Sequence, residues 1–118
     1  MALDDPILGS SFLTLVSEFY VEGTYANLLE DYFLSPWLTP NDVLMKFPPT
    51  RIAIAGLCPL RDEQLKLIIW MAKLGKDIQG KEYRYFPHCF MSMGKSHSIP
   101  EYDLANTEIL NSIEELIN

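Results

Sequence analysis

Cysteine is scarce in this 118-residue chain: there are two, Cys58 and Cys89, 31 positions apart (58 to 89). Such a pair is far from the dense framework that staples small secreted domains, so reduced thiols and a cytoplasmic setting are expected. Basic residues are few as well, nine Lys and Arg against sixteen Asp and Glu, for a formal net charge of -7. Binding to phosphates is driven by clusters of Lys and Arg, and no basic run occurs, which argues against nucleic acid or an anionic membrane surface as partner. No apolar stretch approaches the roughly 20 residues needed to span a bilayer, so no transmembrane segment is expected. The start, Met-Ala-Leu-Asp-Asp, has neither the basic nor the apolar region of a secretory signal. Internal repeats and low-complexity tracts are also missing.

What remains is the composition of a globular protein, 48% hydrophobic with 21% charged residues, at a length suited to one domain. Prolines at 36, 40, 48, 49, 59 and 87 punctuate it, each at a place where an element would have to end or bend. Phe12, Leu15, Val16 and Phe19 fall at helical spacing after Ser11, a cap candidate, with Gly23 as stop, predicting a helix over about 12–22. Asn41 can cap a short helical turn before Pro48-Pro49 force an extended exit. Arg-Ile-Ala-Ile-Ala-Gly at 51–56 is a short apolar run bounded by Pro and Gly, the pattern of a strand covered on both faces.

A helix over about 62–74 follows, with Asp62 as its cap, Leu65, Ile68, Ile69 and Ala72 as its stripe and Gly75 at its end. Residues 78–85 predict a second strand, weakened by Gly80, and Asn106 or Thr107 opens a last helix over about 106–117. Helix, strand, helix, strand, helix in this order implies an α/β fold with parallel strands. Two strands make only the edge of a sheet, so the free side of strand 51–56 calls for a partner, either more of a larger fold or a second copy of the chain.

Several motifs in this order are shared with one family: Leu-Asp-Asp-Pro-Ile-Leu at 3–8, Leu-Ser-Pro-Trp-Leu-Thr-Pro at 34–40, Phe-Pro-Pro-Thr at 47–50, Gly-Leu-Cys-Pro-Leu-Arg-Asp-Glu at 56–63 and Phe-Pro-His-Cys-Phe at 86–90. Together they resemble the C-terminal segment of the hormone-sensitive-lipase-type α/β-hydrolases, lipases and carboxylesterases that cleave acyl esters through a Ser, His and Asp triad. The resemblance implies that residues 1–118 form a partial α/β-hydrolase domain without the half that bears the nucleophile. It also implies a place in lipid metabolism and an acyl-ester or lipid substrate for a completed fold.

In that family the loop after the seventh strand typically reads Asp-Pro-Leu-Arg-Asp, its first Asp being the triad acid, and about thirty residues later a Pro-His-Gly-Phe turn carries the triad His. Residue by residue, His88 takes the histidine position and Cys58 the acid position. A thiol performs the acid's task poorly, since the acid must be ionised, accept the imidazole N–H and stabilise the imidazolium. Cys89 stands where the family has Gly, which places a Cβ in the loop carrying His88. No Gly-x-Ser-x-Gly and no His-Gly-Gly run occurs, so nucleophile elbow and oxyanion hole are not found in these residues. Because chain order in this fold is Ser, acid, His, a segment starting after the sixth strand lacks the serine by construction.

The expectation is therefore a lipase or esterase segment that hydrolyses no ester alone. Asp4 and Asp5 are candidates for a replacement acid, because they follow the region of the sixth strand; their bland alternative is a surface turn. Cys58 reads as a small buried thiol or, less well, as a thiolate nucleophile activated by His88. Cys58, His88, Cys89 and His97 lack the paired short spacings of structural zinc sites, so no metal is called for, and no cofactor. Tyr25, Tyr32, Phe33 and Trp37 read as packing, or as the wall of an acyl pocket in a whole enzyme. Glu108, Glu114 and Glu115 read as a solvated face. The alternative to an esterase segment is a remnant without catalysis that serves as an interaction or self-association module.

Overall fold

A computed structural model describes residues 5–21, 31–33, 35–93 and 99–118 of the chain. Strand β1 (Thr50–Ala55) and strand β2 (Ile78–Tyr83) pair in parallel, with Thr50 opposite Ile78 and Ala55 opposite Tyr83. Among the described residues there are four helices, α1 (Ser10–Val21), α2 (Asn41–Leu44), α3 (Arg61–Lys73) and α4 (Pro100–Ile117), of which α3 and α4 pack on the strands. Two 3-10 turns lie at Pro36–Leu38 and Phe90–Ser92. Among the described residues the sheet has two strands, and both belong to the one β-α-β unit made with α3.

The parallel strands and flanking helices are those read from the sequence, with shifted ends. β1 begins one residue early, because the Thr50 N–H already donates to the Asp77 carbonyl at 2.9 Å. β2 stops two residues early: the Phe86 N–H turns back to the Tyr83 carbonyl at 3.0 Å, which closes a turn over 83–86. Gly80 is accommodated inside β2, facing Ile68 of α3, where a Cβ would lie 2.3 Å from Ile68 Cδ1.

α3 ends as expected at Gly75, which adopts a left-handed φ of 78° that side chains disfavour. Its start differs: Leu60 is the cap residue and Asp62 lies in the first turn, where its carboxylate meets the Arg61 guanidinium at 2.6 Å. An acid there still favours the helix through the dipole. Asn41 is likewise the first residue of α2 rather than its cap, which is Pro40.

The largest correction concerns α4, which begins at Pro100, six residues before the predicted start. Proline at the first helical position needs no N–H partner and has its φ preset, so it opens the helix. Asn106 is then interior, and Tyr102 and Ala105 already pack on the core. Glu108 is not merely solvated: its carboxylate accepts from Lys81 Nζ at 2.6 Å and from the Tyr83 hydroxyl at 3.1 Å, tying α4 to β2. Burial, with Glu108 beside it, pushes the Tyr83 phenol up to about 12.

One buried cluster lies at the C-terminal end of the strands, with Leu44, Ile54 and Met71 buried outside it. Ala55, Cys58, Phe90 and Ala105 are buried together, with Tyr83, Phe86, Tyr102 and Ile109 packed around them. By contrast, the apolar stripe of α1 finds no cover among the described residues: Phe12 and Phe19 are 57% and 69% exposed. The radius of gyration of 16.2 Å exceeds the roughly 13.5 Å of a compact domain of this length. No helix among the described residues is long and apolar enough to cross a membrane.

Candidate active site

Two loops leave the C-terminal ends of β1 and β2, the end where α/β folds place their sites. They touch because residue 56 is glycine: a Cβ there would lie 2.2 Å from the Arg84 carbonyl oxygen. That close approach lets the Gly56 N–H donate to the Tyr83 carbonyl at 2.9 Å and the Leu57 N–H to the Phe86 carbonyl at 3.1 Å. The first loop then turns at Cys58, whose N–H donates to Ala55 and whose carbonyl accepts from Arg61. Arg61 braces it from outside with a fork onto Glu82 of β2, at 2.7 and 3.1 Å.

The second loop carries His88 between a buried Pro87 and a buried Phe90. Phe86 and Phe90 meet edge to face at 5.1 Å, and Phe86 meets Tyr102 of α4 at 4.6 Å, so aromatic packing fixes the loop on both sides of the histidine. Cys89 sits at φ 58°, ψ 21°, a left-handed conformation that glycine adopts freely and cysteine does not.

The outcome is that Cys58 Sγ lies 3.3 Å from His88 Nδ1. Cys58 is 1% exposed. Burial above all pushes its thiol up from the ordinary value; a backbone N–H at Leu60 opposes this, and the Asp5 carboxylate and, after it, the neighbouring Cys89 add to it. At this contact either the S–H donates to Nδ1 or Nδ1–H donates to the sulfur, and a thiol held neutral is only a weak acceptor. A triad requires an ionised acid at this point, accepting Nδ1–H and leaving Nε2 free to take the proton of the serine. The same burial opposes a thiolate, and with it the reading of Cys58 as a nucleophile.

Asp5 also reaches this site, though by another route than an acid would. Its Oδ1 accepts from the N–H groups of Ile7 and Leu8 at 2.8 and 2.9 Å, and its Oδ2 accepts from the backbone N–H of His88 at 2.6 Å. Burial raises its pKa, but the backbone N–H groups of Leu8, Ile7 and His88 and the nearby histidine outweigh it and hold the carboxyl below the ordinary value. Asp5 therefore stays ionised beside His88 without touching the ring nitrogen, where Cys58 stands. Sequence reasoning found Asp5 as an acid and missed this backbone contact across 83 positions, for which no local signal exists.

Asp4 and His97 lie outside the described residues, as does Tyr25. Among the described residues no group of three or more His, Cys, Asp or Glu side chains gathers to hold a metal ion. Trp37 stacks on Trp70 of α3 at 5.6 Å and lines an apolar groove of about 240 Å³ with Pro36, Leu60 and Leu67. Tyr32 and Phe33 stack on each other at 4.6 Å.

A family model described as the α/β-hydrolase fold matches residues 2–92. Human (Homo sapiens) hormone-sensitive lipase is 27% identical over 66 residues, which are 56% of this chain and 6% of the lipase. One of two solved fungal esterases from Rhizomucor miehei superposes with a TM-score of 0.75 at 22% identity, over 93% of this chain and 33% of the esterase, a likeness of fold. The chain thus spans about a third of that esterase and a small fraction of the lipase.

Proposed function

The chain belongs to the α/β-hydrolase fold family, with hormone-sensitive lipase among its relatives, and from that premise we propose that it supplies the histidine-bearing C-terminal part of a lipase- or esterase-like serine hydrolase acting on carboxylic acyl esters. In such an enzyme a serine attacks the ester carbonyl, the histidine takes and returns its proton, and water then hydrolyses the acyl-serine. His88 is the histidine of this scheme, and Cys58 occupies the place of the acid. These 118 residues contain no Gly-x-Ser-x-Gly and no His-Gly-Gly run, so the proposal includes that the chain alone turns over no ester. A cytoplasmic setting belongs to this reading, supported by two unpaired thiols.

The observation that carries it is the contact of Cys58 Sγ with His88 Nδ1 at 3.3 Å, at the ends of two neighbouring parallel strands. The test is hydrolysis of p-nitrophenyl acetate and butyrate by the purified chain and by His88→Ala. Rates that match between the two are expected; turnover that vanishes with His88→Ala would sink the claim of inactivity.

A second reading is favoured by one observation, the apolar surface left bare. Phe12, Phe19 and Tyr20 of α1 are mostly exposed, and the sheet among the described residues ends at β1. A strand edge and an apolar helix face of this kind pair readily with another polypeptide. The rest of the hydrolase fold, or a second copy of the chain, is the occupant this reading calls for. Sedimentation of monomer alone at high concentration would exclude the second copy.

A further inference from the structure

Asp5 is the buried charged residue among the described ones, and it accepts three backbone N–H groups from two distant segments. A surface turn would need only Oδ1, which takes the amides of Ile7 and Leu8. Those two bonds fix the plane of the carboxylate and leave Oδ2 aimed at the His88 amide, 2.6 Å away. Such a short contact between an amide and an ionised carboxylate is of the strong, charge-assisted kind. It acts just before Cys89, whose left-handed backbone makes this stretch one that its surroundings must hold in place.

We infer that Asp5 is the positioning residue for His88: Asp5 clamps the backbone of the histidine and brings the negative charge, while Cys58 orients the ring. The two tasks that one triad acid performs are thereby divided between two side chains. The carboxylate does not reach Nδ1, because the Cys58 sulfur occupies that side of the ring. Its charge nevertheless rests on the residue whose imidazole becomes positive in acyl transfer. The inference rests on His88 holding the position of the triad histidine. Its test reads the histidine amide and ring, not ester turnover, so the two can fail separately.

The experiment is nuclear magnetic resonance on the labelled 118-residue chain. In the unmodified protein the His88 amide proton is expected to move in step with the Asp5 carboxyl carbon as that group is titrated with acid. In Asp5→Asn, which puts either an NH2 group or a weaker neutral acceptor against the amide, His88 amide exchange should speed up roughly ten- to a hundredfold, the worth of a bond to a charged group. The ring nitrogen resonances of His88 should shift in the same variant, because the ring is carried by the clamped backbone. A His88 amide that ignores the Asp5 titration would overturn the inference. So would equal acceleration of all amides with unmoved ring resonances, which would make Asp5 a general stabiliser. If Asp5→Asn does not fold, the titration of the unmodified chain decides alone.

Discussion

Replacing Cys89 with glycine is expected to stabilise the fold, and the gain can be worked out from one backbone angle. Cys89 has φ 58° and ψ 21°, and placing an L-residue in this region costs about 1–2 kcal/mol. Glycine escapes that cost but adds freedom to the unfolded chain, which takes back about 0.4–1 kcal/mol. The net gain is about 0.8 kcal/mol, the difference of the two midpoints. Little packing is lost, because the Cys89 side chain is exposed. With an unfolding entropy of about 2.1 cal/mol/K per residue, this chain should gain about 3 °C in Tm.

Thermal and urea unfolding followed by circular dichroism would measure it, with Cys89→Ala as the control. Alanine removes the thiol and keeps the Cβ, so it should leave stability nearly unchanged. A glycine variant no more stable than the alanine variant would refute the reasoning, since the strain would then not be stored where the backbone places it.

Gly56→Ala is expected to cost about 2–3 kcal/mol in urea unfolding, because its Cβ would meet the fixed Arg84 carbonyl at 2.2 Å. Gly80→Ala should cost under about 1 kcal/mol, since the flexible end of Ile68 can move aside; the reverse order would contradict this account of the loop contact. A thiol reagent such as Ellman's should titrate Cys89 quickly in the native protein and Cys58 only in urea, and two fast thiols in the native state would contradict the burial of Cys58. The Asp5 carboxyl is held below its ordinary value, so its contribution to stability is full above the unfolded value of about 3.9 and is lost as pH falls through the lower folded value. The stability gap between the unmodified chain and Asp5→Asn should therefore stay constant above about pH 5 and close below about pH 4, as read by chemical unfolding across pH. A gap that widens in acid would show that the carboxylate is not favoured in the native state.

Much of this fold is legible because local rules suffice for it. A Pro-bounded apolar run gives β1, and Gly75 ends α3 because only glycine takes its backbone angle cheaply. The rules fail where two local signals compete. Asn106 and Thr107 are good caps, yet Pro100 starts α4 earlier, because the Tyr102 and Ala105 side chains are wanted in the core. They fail again where a pattern has no partner: Phe12, Leu15, Val16 and Phe19 make a helix, as predicted, but periodicity cannot say what covers it. In the site, Cys58 and His88 are found by motif and brought together by the fold. The Asp5 clamp is legible only in three dimensions, since nothing near residue 88 announces a carboxylate from residue 5.

On the proposed function, His88 meets a neutral thiol where a triad would place an ionised carboxylate. A buried neutral thiol is a weak acceptor for Nδ1–H, whereas a carboxylate accepts it strongly. Where the analogous acid is replaced by a neutral group in serine proteases, the wrong tautomer lowers turnover by about ten-thousandfold. Under the proposed function, adding a serine and an oxyanion hole from the rest of the fold is expected to leave turnover below that of an enzyme with a carboxylate at position 58. Asp5 binds the backbone N–H of His88 and leaves the ring nitrogen to Cys58. The loops thus hold His88 in place through its backbone, and on the proposed function position 58 is where a carboxylate would make it a strong base.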